Sequence, residues 1–277
     1  MSKPTDIRIV GTTLFFLPVR TRVPLKFGSE TLTEVTCARV RVLVMDQRGE
    51  RAEGWGETPL SAQWVWPSAL PLPHRAEALK AFCVELARTW AEFTARGHPM
   101  EIGLDFQEQV LPELLAQTNA ARGGKNEAMP WLAALVCCSA FDIALHDAFG
   151  QLSQQPIYET YNAKFMNRDL GMFLEVSPEG SFAGKFPKDF LLPKPPLLLR
   201  ALHQVGGLDL LDASELKGDE PNDGHPVLPP DWIGRDGLKC LKIKLRGTDG
   251  PWDLERVIRV GKISVAYDVA WLSVDFN

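Results

Sequence analysis

The chain has 277 residues, 45% hydrophobic and 23% charged, which is an ordinary globular composition with material for a large core or two domains. Its net charge of −5 carries no basic footprint and argues against a nucleic-acid partner. The N-terminus MSKPTDIRIVG lacks an apolar signal core, and the longest apolar run, Trp131 to Phe141, is too short to cross a bilayer. Five cysteines lie mostly inside apolar segments, as free thiols do, so the expectation is a cytoplasmic protein with no membrane partner.

Residues Ile7 to Leu17 form an apolar, β-branched run, and in Val35 to Met45 the residues Val40, Val42 and Val44 alternate with Arg39 and Arg41. A turn at Asp46 to Gly49 leads to a third run, Ala52 to Glu57, and the three predict an antiparallel meander. Two loops are predicted around it. One spans Arg20 to Thr33 and contains Pro24, Phe27 and Gly28; the other spans Thr58 to Pro67 and contains Trp64 and Trp66. Glu57 reads as structural. Ala78, Phe82, Leu86 and Trp90 recur every four residues and predict an amphipathic helix over His74 to Phe93, broken at Gly97 to Pro99. A second helix is predicted over Phe106 to Gln117, kinked or split by Pro112, then a loop over Thr118 to Glu127. Pro130 to Gly150 predicts a long helix, started by proline and ended by glycine, and apolar nearly all round. Its polar exceptions are Asp142, His146 and Asp147, which read as a buried polar cluster or an exposed edge rather than a metal site.

Residues Ser177 to Pro196 lack periodicity and read as a loop or lid insertion, Leu197 to Val205 as a strand, and Pro230 to Arg235 as a turn or two of helix. In Leu238 to Leu245, period two puts Cys240, Lys242 and Lys244 on one face and Leu241, Ile243 and Leu245 on the other. Gly247 and Gly250 break this strand, and Pro251 suits the first turn of a helix carrying Leu254, Val257, Ile258 and Val260. Trp271 to Asp275 is a second short apolar run, so the closing forty residues predict a βαβ unit and a parallel sheet. Two ammonium groups held close and partly desolvated each disfavour the other's proton, so one can serve as a base. The plainer reading is a strand with one solvated face.

Lys-x-Lys at one strand end, followed after a helix by Asp-x-Asn at the next, resembles the barrel motifs of the mandelate racemase and muconate lactonizing branch of the enolase superfamily. The segments RVPLKFGSETLTE and GWGETPLS resemble the start of that family's capping domain, and SAFDIALHDAFGQLSQQPIYETY resembles its signature helix. The resemblance implies an α+β capping domain over residues 1–161. An incomplete (β/α)8 TIM-type barrel would then occupy 162–277, stopping after about three strands. It implies a Mg²⁺ ligand at Asp275, a proton-abstracting Lys244 with Lys242 as its electrostatic partner, and Asn277, Phe27, Gly28 and Trp64 near the substrate. The implied reaction is α-proton abstraction from a small carboxylate, an acid sugar among the options, through an enediolate. Its outcome would be racemisation, dehydration or cycloisomerisation, by a protein that is a homo-oligomer when full length.

A closed barrel takes about 250 residues, far more than follow Tyr161, and one carboxylate does not make a Mg²⁺ site. The expectation is therefore an N-terminal portion of a longer polypeptide, inactive alone. The alternative is a diverged or truncated barrel protein that serves as a non-catalytic binding or scaffold module.

Overall fold

The computed structural model describes residues 2–27, 30–123, 127–174 and 180–276. They form two compact units, Met1–Val19 with Val35–Lys194, and Arg20–Glu34 with Pro195–Asn277. Residues 162–194 thus pack with the first unit.

β1 (Arg8–Phe27), β2 (Glu30–Met45) and β3 (Arg51–Pro59) form a sheet in that order, which belongs to the first unit except for the Arg20–Glu34 ends of β1 and β2. The valine alternation sets its faces: Val40, Val42 and Val44 are fully buried while Arg39 and Arg41 pair outward with Glu57 and Glu53. The meander is as predicted, but the predicted Arg20 to Thr33 loop is strand for most of its length, because β1 and β2 run far beyond the core. Pro18 and Pro24 fall within β1, an edge strand, the place in a sheet where proline is tolerated.

Helices α1 (Ala62–Val65), α2 (Leu72–Glu92), α3 (Pro99–Gln109), α4 (Leu111–Ala121) and α5 (Trp131–Ser153) complete the unit. The period-four stripe of α2 is buried at Phe82, Leu86 and Trp90, and Trp90 stacks on Phe106 at 3.8 Å. The second helix starts at Pro99 rather than Phe106, and the chain is divided at Val110, before Pro112. The early start has a local cause. The His98 ring accepts the Met100 N–H while Glu101 reaches back to the His98 N–H, a capping box built on histidine. Helix α4 continues to Ala121, into the predicted loop.

Helix α5 runs past Gly150 to Ser153 and ends with Gln154 in the left-handed region at φ 52°. By length and composition it is apolar enough to cross a membrane. In this fold Ala133, Cys137, Phe141, Ala144, Leu145 and Phe149 fill the middle of the core. It lies so close to β3 that a Cβ at Gly54 would sit 2.0 Å from the Ala148 nitrogen, and one at Gly56 2.1 Å from the Ala140 oxygen. Asp147 then accepts the Trp55 N–H at 2.8 Å.

The second unit holds a parallel sheet in the order β4 (Leu202–Val205), β5 (Cys240–Lys244), β6 (Trp271–Asp275), with α6 (Pro229–Asp236) and α7 (Gly250–Ala266). The first of these strands is shorter than predicted, with Leu197 to Leu199 exposed before it. Val205, Leu241, Ile243, Leu245, Ile233 and Val260 form a small core. Leu254 and Ile258, expected on the buried stripe of α7, are exposed; Val257 and Val260 carry its packing.

Candidate active site

The faces predicted for β5 hold. Leu241 and Ile243 are fully buried, which turns Lys242 and Lys244 to the opposite side of the sheet. The parallel register sets Lys242 beside Ser273 and Lys244 beside Asp275, so three charged side chains meet at the C-terminal ends of two adjacent strands. Lys244 Nζ donates to Asp275 Oδ2 at 2.6 Å, and Lys242 Nζ is 2.8 Å from the same oxygen. The two ammonium groups therefore do not face each other bare; a carboxylate lies between them. Two positive groups on one negative group leave a net positive charge of one, which suits an incoming carboxylate.

The loop after Lys244 is held close to the end of β6. Leu245 N–H donates to the Asp275 carbonyl at 2.9 Å. Gly247 adopts φ +72°, and a Cβ there would lie 2.5 Å from the Phe276 oxygen, so the turn needs glycine on both counts. The buried Asp253, in the first turn of α7, accepts the Arg246 N–H at 2.7 Å and the Gly247 N–H at 3.0 Å. One turn further on, the buried Arg256 donates to the carbonyls of Gly206 and Asp209, fixing the loop after β4. Burial lowers the pKa of Arg256 from its usual value. Both residues were missed as site-forming groups; their signal in the sequence was a charged pair three apart in the first turns of a helix that follows a lysine strand.

A cavity of about 630 Å³ borders the site through Gln204, which pairs in register with Lys242. Arg22, His203, Asp209 and Trp232 contribute to its wall. Arg22 forks onto Asp223 at 2.7 and 2.8 Å, and burial lowers the pKa of His203. Of the other expected site residues, Trp64 lies on α1 in the first unit and is 54% exposed. Phe27 ends β1, while its side chain, Gly28 and Asn277 lie outside the described residues.

Among the described residues no group of three or more His, Cys, Asp or Glu could hold a metal ion. Asp275 offers one carboxylate, and one of its oxygens is already shared by two ammonium groups. These residues by themselves do not fit a Mg²⁺ ion, which takes more than one acid or phosphate along with waters.

No protein-family model matches the sequence, and no curated protein matches it. Solved structures do match in fold. One is a dipeptide epimerase from Cytophaga hutchinsonii complexed with Mg and the dipeptide D-Ala-L-Val, 18% identical, covering 98% of this chain and 52% of that one with a TM-score of 0.50. Another is a dipeptide epimerase from Methylococcus capsulatus, 19% identical over 98% of this chain and 54% of that one, with a TM-score of 0.48. A mandelate racemase/muconate lactonizing protein from Herpetosiphon aurantiacus is 17% identical over 99% and 54%, with a TM-score of 0.46. The chain spans about half the length of the structures it matches.

Proposed function

From a chain whose fold matches about half of a dipeptide epimerase structure, we propose an enolase-superfamily enzyme of the mandelate racemase and muconate lactonizing branch, in which residues 238–277 form one wall of a site that abstracts the α-proton of a small carboxylate substrate. The observation that carries the reading is the meeting of Lys242, Lys244 and Asp275 on two adjacent parallel strand ends. On this reading residues 1–161 act as the capping domain, 162–277 begin the barrel after a stretch, 162–194, that packs with the first unit, and Phe27, Gly28 and Asn277 help hold the substrate.

Lys244, as the neutral amine, takes the α-proton onto Nζ, and the electron pair of the broken C–H bond moves into the substrate carboxyl group as an enediolate. The ammonium of Lys242 faces that growing negative charge and stabilises it. For either step Asp275 must leave Lys244, so the ion pair is a resting arrangement. Mg²⁺ dependence would belong to a site in which further carboxylates join Asp275. The dipeptide bound by the Cytophaga epimerase carries a carboxylate of the required kind. The 277-residue chain alone is expected neither to bind Mg²⁺ tightly nor to turn over substrate; turnover by the purified chain overturns that expectation. In a protein that completes the site, Lys244→Ala cuts exchange of the substrate α-hydrogen with solvent by at least about a hundredfold, the lower bound for loss of a general base. Unaltered exchange in D₂O, followed by NMR, rejects the role. The second reading, a non-catalytic binding module, rests on the same triad: two lysines neutralising one acid can be a structural ion pair and nothing more.

A further inference from the structure

The polar residues of α5 divide into two kinds. Asp147 is occupied by the Trp55 N–H. Asp142, five residues earlier, is not. It is 34% exposed, and its carboxylate accepts no hydrogen bond among the described residues. His146 relieves it only in part: its Nδ1 donates to the Asp142 main-chain carbonyl at 2.8 Å and stands 3.6 Å from Oδ2, an ion-pair distance rather than a hydrogen bond. No lysine or arginine among the described residues pairs with it. A methyl group at Gly103 would sit 2.4 Å from Oδ1, so the carboxylate lies against bare α3 backbone.

This acid opens into a cleft of about 460 Å³ in the first unit. Tyr158, Tyr161 and Phe173 supply aromatic walls, with Met100, Leu104 and Leu191 between them. Tyr158 and Tyr161 meet edge to face at 5.7 Å, and the Tyr161 ring stands 6.3 Å from His146. Burial pushes the Tyr161 phenol up to about 12, so it presents a neutral hydroxyl and an electron-rich face. We propose that this cleft binds a small organic cation, an alkylammonium or alkylguanidinium, with Asp142 as its counter-ion and Tyr158 and Tyr161 against its alkyl and charged surfaces.

The chemistry excludes the competitors. A hard divalent ion takes six or more oxygens and finds one carboxylate among apolar rings. An anion meets a negative group, with only the neutral donors of Tyr158, Tyr161 and Gln107 to set against it. A neutral apolar ligand would bury that group further, at a cost that nothing offsets. An organic cation satisfies the acid and gains from the aromatic faces together. Burial raises the pKa of Asp142 above the ordinary carboxylate range, the desolvation that a bound cation would relieve.

The test is a titration of the 277-residue chain with n-butylammonium chloride, followed by NMR of the His146 imidazole, against sodium chloride and sodium butyrate at matched ionic strength. A saturable shift with butylammonium alone is expected. Asp142→Asn should weaken it by about tenfold or more, as for a lost charged contact. Tyr158→Ala, at an exposed position, should weaken it by about two- to fivefold. Equal shifts with sodium chloride, or wild-type affinity in both variants, overturn the proposal. If Asp142→Asn does not fold, unchanged affinity in Tyr158→Ala overturns it alone.

Discussion

In the first unit the edge strand β3 is closed by a helix, whereas in the second the edge strand β6 faces outward with Trp271, Leu272 and Val274 exposed. The difference begins with side chains. Gly54 and Gly56 let the α5 backbone come down onto β3, and Asp147 then takes the outward N–H of Trp55. No such partner reaches β6 among the described residues, and α7 turns Leu254, Ile258 and Val265 outward as well. A period-two or period-3.6 stripe marks a face able to be buried, and burial needs a second surface shaped to meet it.

The largest effect is expected where that second surface is closest. Gly54→Ala places a methyl 2.0 Å from the Ala148 nitrogen, where neither backbone can rotate away. The loss should reach about 3 kcal/mol, the upper end for overpacking, read as a lower urea midpoint at unchanged slope. A loss below about 1 kcal/mol would mean that α5 and β3 separate easily, and the contrast between the two edges would weaken.

The glycines also show where the sequence stopped being legible. Val40, Val42, Val44, Leu241 and Ile243 were readable because their period is a property of the strand itself. The lysine face followed from the same period, and Asp275 from the next strand. What escaped depended on tertiary approach. The Arg20 to Thr33 segment, dotted with proline and glycine, looked like a loop because only its pairing with a partner strand makes it β. The His98 cap was hidden because histidine is an uncommon capping residue, and its role requires Thr160, sixty-two residues away. Asp253 and Arg256 are marked in the sequence only by their spacing in the first turns of a helix; the fold is what turns them toward the loops that follow β5 and β4.

A middle-sized effect tests the closed unit through pH. His98 is fully buried, its Nδ1 accepting the Met100 N–H and its Nε2 bonded to Thr160 Oγ1. Burial, with smaller contributions from His146 and Lys3, pushes it down from 6.5 to about 3. The unfolded chain takes up a proton near pH 6.5 that the folded chain refuses until about pH 3, so this stability is whole above 6.5 and drains as the pH falls. At about 1.4 kcal/mol per pH unit, the loss at pH 5 is about 2 kcal/mol. His98→Asn keeps a capping side chain and removes the titration, so its urea midpoint should change less between pH 7 and pH 5 than the wild type's. Equal slopes would show that the ring is reached by water.

The smallest effect belongs to the open unit. Leu254 is 63% exposed while Val260, on the same helix, is fully buried. Leu254→Lys should change stability by no more than about 0.5 kcal/mol, as for a surface position outside any packed contact. Val260→Ala serves as the reference on the same helix, and its loss should be plainly larger because a buried branched side chain is removed. A cost above about 2 kcal/mol for Leu254→Lys would place that leucine among buried side chains in solution. The outward face of α7 would then be covered by another surface, and the two units would differ in what meets their apolar faces rather than in whether anything does.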